Sequence, residues 1–193
     1  KYDEILGLKS YPDIASIPEN FDLALYFIPA KHLPDTIREC AKKGVKGIII
    51  ESAGFSEVGA QGRALQEESV RLAKEHGIRL WGPNCMGLLD GHSRHVFSFM
   101  YQDDWKTLMK PGGDSLIVQS GMLSAGFLMA ILQRGGMGIS KVASIGNKCD
   151  VNETELLEYF INDPNTTVIA AYLESIKDGR KFLELARGTA KPV

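Results

Sequence analysis

Short apolar runs alternate with amphipathic stretches along most of this chain, and that rhythm restricts the folds open to it. Residues 23–28 (LALYFI) are apolar throughout and are closed by Pro29. Leu33, Ile37 and Ala41 then recur at helical spacing, and Gly44 stops that helix. Gly47-Ile-Ile-Ile50 reads as a second buried strand. The pattern predicts a helix over 61–76, with Leu65, Val70, Leu72 and Ala73 for its inner face, and a third strand over 78–81. Strands apolar on both faces suit a parallel sheet covered by helices. Strand–helix alternation predicts α/β layering with right-handed crossovers.

The rhythm breaks between residues 82 and 114, where Gly-Pro, Asp-Gly and Pro-Gly-Gly turns replace periodicity. Long structureless loops are uncommon inside a domain, so this stretch reads as a partly structured connection between two units, with a boundary near Pro111. The alternation then restarts: strands over 115–118, 141–145 and 166–173, each followed by a helix, over 121–134, 152–161 and 178–187. Lys191-Pro192-Val193 reads as the start of another strand. Two units of about three βα repeats each follow, with no sequence repeat between them.

Length agrees with this division, since 193 residues correspond to one large or two small domains at about 150 residues each. A charge of −2 from 22 basic and 24 acidic residues gives no reason to expect a nucleic-acid partner. The three cysteines (Cys40, Cys85, Cys149) are far apart and form no C-x-x-C pair. They argue against a disulfide framework or a structural zinc site and for a reducing, cytoplasmic setting. The four histidines show no metal-binding spacing, so no metal site is expected. No apolar run approaches the roughly 20 residues of a membrane helix, and no signal peptide is visible. The chain starts at Lys1 without Met, as expected of part of a longer protein.

In open α/β sheets, ligands bind where strands end and helices begin. The turn Val118-Gln119-Ser120-Gly121 is the strongest candidate. A hydroxyl and a Gly precede a helix whose first amides lack intrahelical partners, and a phosphate or carboxylate suits that end. Ser120 could equally be an ordinary N-cap. Gly82-Pro83-Asn84-Cys85 forms a tight turn in which Asn84 tolerates left-handed geometry. Cys85 shows no activating base and reads more readily as a small residue packed under the turn. Ser52-Ala53-Gly54-Phe55-Ser56-Glu57 offers small residues before a helix, with Ser56 as a possible cap. Ile145-Gly146-Asn147-Lys148 offers a backbone nest and a cation, and Leu173-Glu174-Ser175 a carboxylate at a strand end. Neither a dinucleotide-binding glycine fingerprint nor a P-loop is present, which weakens an NAD(P)-binding reading.

Taken in order, Gly82-Pro-Asn-Cys85, Val118-Gln-Ser-Gly121, Ser144-Ile-Gly-Asn-Lys148 with Asp150-Val151, Tyr172-Leu-Glu-Ser-Ile-Lys-Asp-Gly179 and Lys191-Pro-Val193 resemble the nucleoside-diphosphate-forming acyl-CoA synthetases. That family includes acetate–CoA ligase (ADP-forming) and, more distantly, the α subunit of succinyl-CoA synthetase. The resemblance covers nearly the whole chain. It implies that residues 1–110 are the later part of a Rossmann-like CoA-binding domain plus the connection. Residues 111–193 would be a flavodoxin-like succinyl-CoA-ligase domain, incomplete at its end.

The resemblance also assigns residues. Pro29, Ala30, Ser52, Ala53, Gly54, Asn84 and Cys85 match turns that face coenzyme A. Ser120 and Gly121 match the helix start that holds phosphate or an acyl carboxylate, with Asn147 a weaker candidate for the same pocket. Glu174 matches the acidic residue that positions a phosphohistidine. That His follows a Lys-Pro-Val strand in the family, beyond Val193, so this chain alone is expected to be inactive as a ligase. The implied reaction interconverts acyl-CoA, ADP and phosphate with acid, CoA and ATP through an acyl phosphate. The implied partners are CoA, phosphate or acyl phosphate, and an ATP-grasp domain or subunit that binds ATP or ADP and Mg²⁺, within an oligomer and with no membrane. A non-ligating acyl-CoA-binding scaffold of a protein acetyltransferase is the alternative.

Overall fold

The computed structural model describes residues 2–99 and 109–193. After a short hairpin, β1 (Glu4–Ile5) with β2 (Leu8–Lys9), the chain builds one parallel and one mixed sheet, both flanked by helices. The first has the order β3 (Leu23–Tyr26), β4 (Gly47–Ile50), β5 (Arg79–Trp81), all parallel. Its crossovers carry α1 (Leu33–Lys42) and α2 (Ala60–Glu75). Ile48 and Ile50 pack with Leu33, Ile37, Cys40, Leu72 and Ala73 into one core, as the periodicity predicts.

The strand expected over 23–28 stops at Tyr26, and Phe27 and Ile28 are half exposed. β3 is an edge strand, paired only with β4 among the described residues.

The second sheet has the order β10 (Val168–Tyr172), β8 (Pro111–Val118), β9 (Ile139–Ser144), β6 (Gly87–Asp90), β7 (His95–Phe97). The first three strands are parallel; β6 and β7 join antiparallel. The connection is thus partly structured, and its hairpin lies on β9 of the second unit. Alternation along β8 divides two cores. Leu116 and Val118 face Leu128 and Leu132 of α3 (Gly121–Arg134), whereas Ile117 faces Leu157 and Phe160 of α4 (Glu153–Asn162). The last helix, α5 (Gly179–Gly188), is capped by Asp178, whose side chain accepts from the Lys181 amide at 3.0 Å. Residues 191–193 form no assigned strand, yet the Ile169 amide donates to the Pro192 carbonyl at 2.9 Å, placing this end beside β10.

The units meet at the carboxyl ends of their strands through directed polar contacts. The Trp81 indole donates to the Ser144 carbonyl (2.7 Å), and the Met86 amide to Ser144 Oγ (3.0 Å). Arg79 pairs with Asp150 and Glu155, each at 2.9 Å. Backbone bonds join Asn147 N to Pro83 O and Cys149 N to Gly82 O, both at 2.9 Å. Among the described residues no helix is long and apolar enough to cross a membrane.

Candidate functional site

A cavity of about 670 Å³ opens where the strand-end turns of both units converge. Its floor comes from the turns after β5 (Asn84), β8 (Gln119, Ser120, Gly121), β9 (Gly146, Asn147) and β10 (Glu174). One side is closed by Ser56 and Glu57 and by Arg63, Gln66 and Glu67 of α2. The parallel sheets produce this directly, because parallel strands deliver successive turns to the same edge.

Two positions in the cavity floor have left-handed backbone. Asn84 has φ 56°, as its side chain allows, and its amide donates to the Ser52 carbonyl at 3.0 Å. Gly146 has φ 50°, and a Cβ there would overlap the carbonyl oxygens of Pro83 and Asn84. Gly146→Ala is therefore expected to destabilise the protein by about 1–3 kcal/mol, read as a lowered Tm. An unchanged Tm would show that the two turns do not need this approach.

Ser120 is the N-cap of α3, and its Oγ accepts the Leu123 amide at 3.2 Å. The capping reading is the one observed, and one of the amides expected to serve an anion is already engaged. Gly121, at the first helical position, lines the cavity, and nothing lies within 4 Å of where its Cβ would stand. An anion can approach the α3 terminus there, where the helix dipole places about half a positive charge.

Asn147 lines the cavity, but its amide is turned away from the role expected of it. Its Nδ2 donates to Glu57 Oε2 at 2.6 Å, with Gln66 Oε1 at 3.1 Å and Ser56 Oγ at 3.2 Å also in reach. The donor is saturated by groups of the first unit. Burial pushes the Glu57 carboxyl up, but donation from Asn147 and from the Phe55 and Gly54 amides outweighs it and holds the group below the ordinary carboxylate value. Lys148, expected as a cation of the nest, is 3 % exposed and paired inside the protein with Glu153 at 2.9 Å. A buried ammonium needs a partner, and α4 supplies one. Among the described lining residues Arg63 is the cation, in a cavity also lined by Glu57, Glu67 and Glu174.

The residues assigned to CoA do not share one place. Asn84 lines the main cavity, whereas Ala30 and Gly54 line a second hollow of about 510 Å³ with Lys31 and the start of α2. Pro29, Ser52 and Ala53 line neither described hollow. The Pro29 carbonyl accepts the Tyr26 hydroxyl at 2.6 Å, and Ser52 Oγ approaches the Tyr26 carbonyl at 3.5 Å. Cys85 is 4 % exposed, donates to the Ile50 carbonyl at 3.4 Å, and burial pushes its thiol up to about 12. The Cys85 thiol thus points into the fold, and only the backbone of this turn is left to meet a ligand. Among the described residues no His, Cys, Asp and Glu cluster could hold a metal ion.

Sequence comparison agrees with this architecture. Residues 1–90 match the CoA binding domain model and residues 111–193 the succinyl-CoA ligase like flavodoxin domain model. The chain is 40 % identical over 198 residues to acetate–CoA ligase [ADP-forming] I of Archaeoglobus fulgidus, covering 100 % of this chain and 28 % of that protein. It is 38 % identical to the α subunit of acetate–CoA ligase [ADP-forming] II of Pyrococcus furiosus, covering 98 % of this chain and 40 % of that one.

The chain joins a CoA binding domain to a succinyl-CoA ligase like flavodoxin domain and is similar along its length to part of the ADP-forming acetate–CoA ligases.

A solved structure, the dinucleotide forming acetyl-coenzyme A synthetase 1 of Ca. Korarchaeum cryptofilum in complex with phosphate and ADP, superposes with TM-score 0.86 at 38 % identity, covering 96 % of this chain and 39 % of that one. The chain thus spans between 28 % and 40 % of the length of these three relatives. The helical walls were the part the sequence did not point to. Arg63, Gln66 and Glu67 lie on the exposed side of an amphipathic helix, and only the packing of the second unit turns that side into a cavity wall.

Proposed function

We propose that this chain is the CoA- and phosphate-handling region of an ADP-forming acid–CoA ligase. One observation carries the reading: a single cavity gathers the α3 terminus, the Asn84 turn and the Glu174 carboxylate at the carboxyl ends of both sheets. In the acyl-CoA-consuming direction, a phosphate oxygen attacks the thioester carbonyl, the C–S bond breaks, and CoA leaves as the thiolate with acyl phosphate as product. The α3 terminus at Gly121 offsets the phosphate charge and does so without reorganising. Arg63 adds a formal positive charge at the opposite wall.

Phosphoryl transfer then asks for placement and charge neutralisation more than covalent help. Glu174 accepts a hydrogen bond from the imidazole of a His outside this chain and orients it toward the phosphoryl group. Small residues at the strand ends, Ala30 and Gly54 above all, leave room for the slim pantetheine arm of CoA beside the second hollow. Nucleotide and Mg²⁺ belong to an ATP-grasp partner region.

The full-length protein should form acyl hydroxamate from acid, ATP, CoA and hydroxylamine. Ser120→Asp should lower that rate about tenfold to a hundredfold, since a carboxylate at the α3 terminus repels phosphate. Asp is itself a good N-cap, so the fold is retained. Full activity in this variant would remove the anion site, and no hydroxamate from the wild type would remove the ligase reading.

A further inference from the structure

The turn that carries Glu174 has little apolar anchorage, since residues 174–177 are all exposed, yet it is held from two sides. From the β8–α3 turn, the Gln119 carboxamide oxygen accepts the amides of Glu174 at 2.9 Å and Ser175 at 3.2 Å. The Gln119 backbone amide donates to the Tyr172 carbonyl at 2.9 Å, so the same residue grips the strand end and the turn beyond it. From the β9–α4 turn, the Lys148 ammonium donates to the Ser175 carbonyl. Its partner Glu153 accepts the Lys177 amide at 2.5 Å, and the Lys177 ammonium returns to the Lys148 carbonyl at 2.5 Å. The Glu174 carboxylate itself makes no hydrogen bond or ion pair among the described residues; its backbone is fixed, and Glu174 lines the cavity.

We propose that Gln119 is the positioning residue for Glu174, with the Lys148–Glu153 pair as the second anchor of the same turn. A neutral carboxamide suits the place. It takes both amides with one oxygen, and it adds no further carboxylate to a cavity already lined by Glu57, Glu67 and Glu174. The catalytic consequence rests on the ligase reading: a displaced Glu174 slows turnover without weakening the hold on CoA.

The test uses the full-length protein and two variants. Gln119→Met keeps the length of the side chain and removes the acceptor; Gln119→Glu keeps the acceptor. Hydrogen exchange read by mass spectrometry on a peptide spanning 173–177 should be about tenfold faster in Gln119→Met, as expected for two lost hydrogen bonds, and close to wild type in Gln119→Glu. Exchange in a peptide covering β4 should be unchanged in both, showing that the fold persists. In Gln119→Met kcat for hydroxamate formation should fall about tenfold with KM for CoA unchanged. Unaltered exchange in Gln119→Met, or equally fast exchange in the two variants, overturns the proposal. So does a raised KM for CoA or phosphate at constant kcat, which would make Gln119 a direct ligand. Faster exchange in Gln119→Met beside a wild type that forms no hydroxamate would uphold the clamp and remove the ligase instead.

Discussion

Lys148→Met is expected to cost about 3–5 kcal/mol of folding stability, the range for breaking one partner out of a buried ion pair. Glu153 is fully buried, and without Lys148 its Oε2 would face no opposite charge. Denaturant unfolding at neutral pH measures the loss. The double variant Lys148→Met, Glu153→Gln should recover much of it, because the uncompensated charge is then gone. Equal stability of the single and double variants would mean that the pair is not the source.

The same pair has an acid signature. Burial pushes the Glu153 carboxyl up, but Lys148 and the Lys177 amide more than offset this, so the group sits below its ordinary value of 4.5. Its folded pKa is depressed, so its contribution is complete above that value and is lost as pH falls through the lower folded one.

Glu51→Gln is expected to act with the opposite sign and at higher pH. Glu51 follows β4, is 8 % exposed, and accepts the Phe99 amide on Oε2 at 2.9 Å, while Oε1 has no hydrogen-bond partner among the described residues. Burial drives its carboxyl from 4.5 up to about 7, with the Phe99 amide pulling part of the way back. The folded state therefore holds a proton that the unfolded chain has released. Stability from this group falls as pH rises from the ordinary carboxylate value through about 7, then levels off. A shift of this size corresponds to about 3 kcal/mol at pH 8. Gln carries no charge, so urea unfolding at pH 5 and pH 8 should show the wild type losing this increment relative to the variant. Parallel behaviour of the two proteins would show that Glu51 does not titrate in the folded state over that range. The carboxyls held low (Glu57, Asp90, Glu153 and Asp163) change at more acid pH and do not mask the effect.

Local pattern made much of the fold legible. Gly47–Ile50 and Gly121–Arg134 form where apolar run, cap and terminating glycine all agree. Asn152 and Asp178, first residues of two expected helices, prove to be their N-caps. The β6–β7 hairpin was less readable. Its strands are only 4 and 3 residues long, and β6 pairs with a strand some fifty residues later, which no local period announces. Of the site, the strand-end turns could be read because parallel topology brings them to one edge. The orientation of individual groups could not. Asn147 looks like a ligand until Glu57, Gln66 and Ser56 are seen to occupy its amide, and Lys148 looks like a surface cation until α4 closes over it. Both depend on contacts between segments distant in sequence.

The polypeptide changes allegiance over a single peptide bond. Cys85 is tied by its thiol to the end of β4, while Met86 lies in the core beneath β9 and gives its amide to Ser144. Everything from Met86 to Phe97 is thus masonry of the later sheet, lent by the earlier half. The backbone that finishes the first sheet thereby carries on, without an intervening linker, as an antiparallel strand of the second.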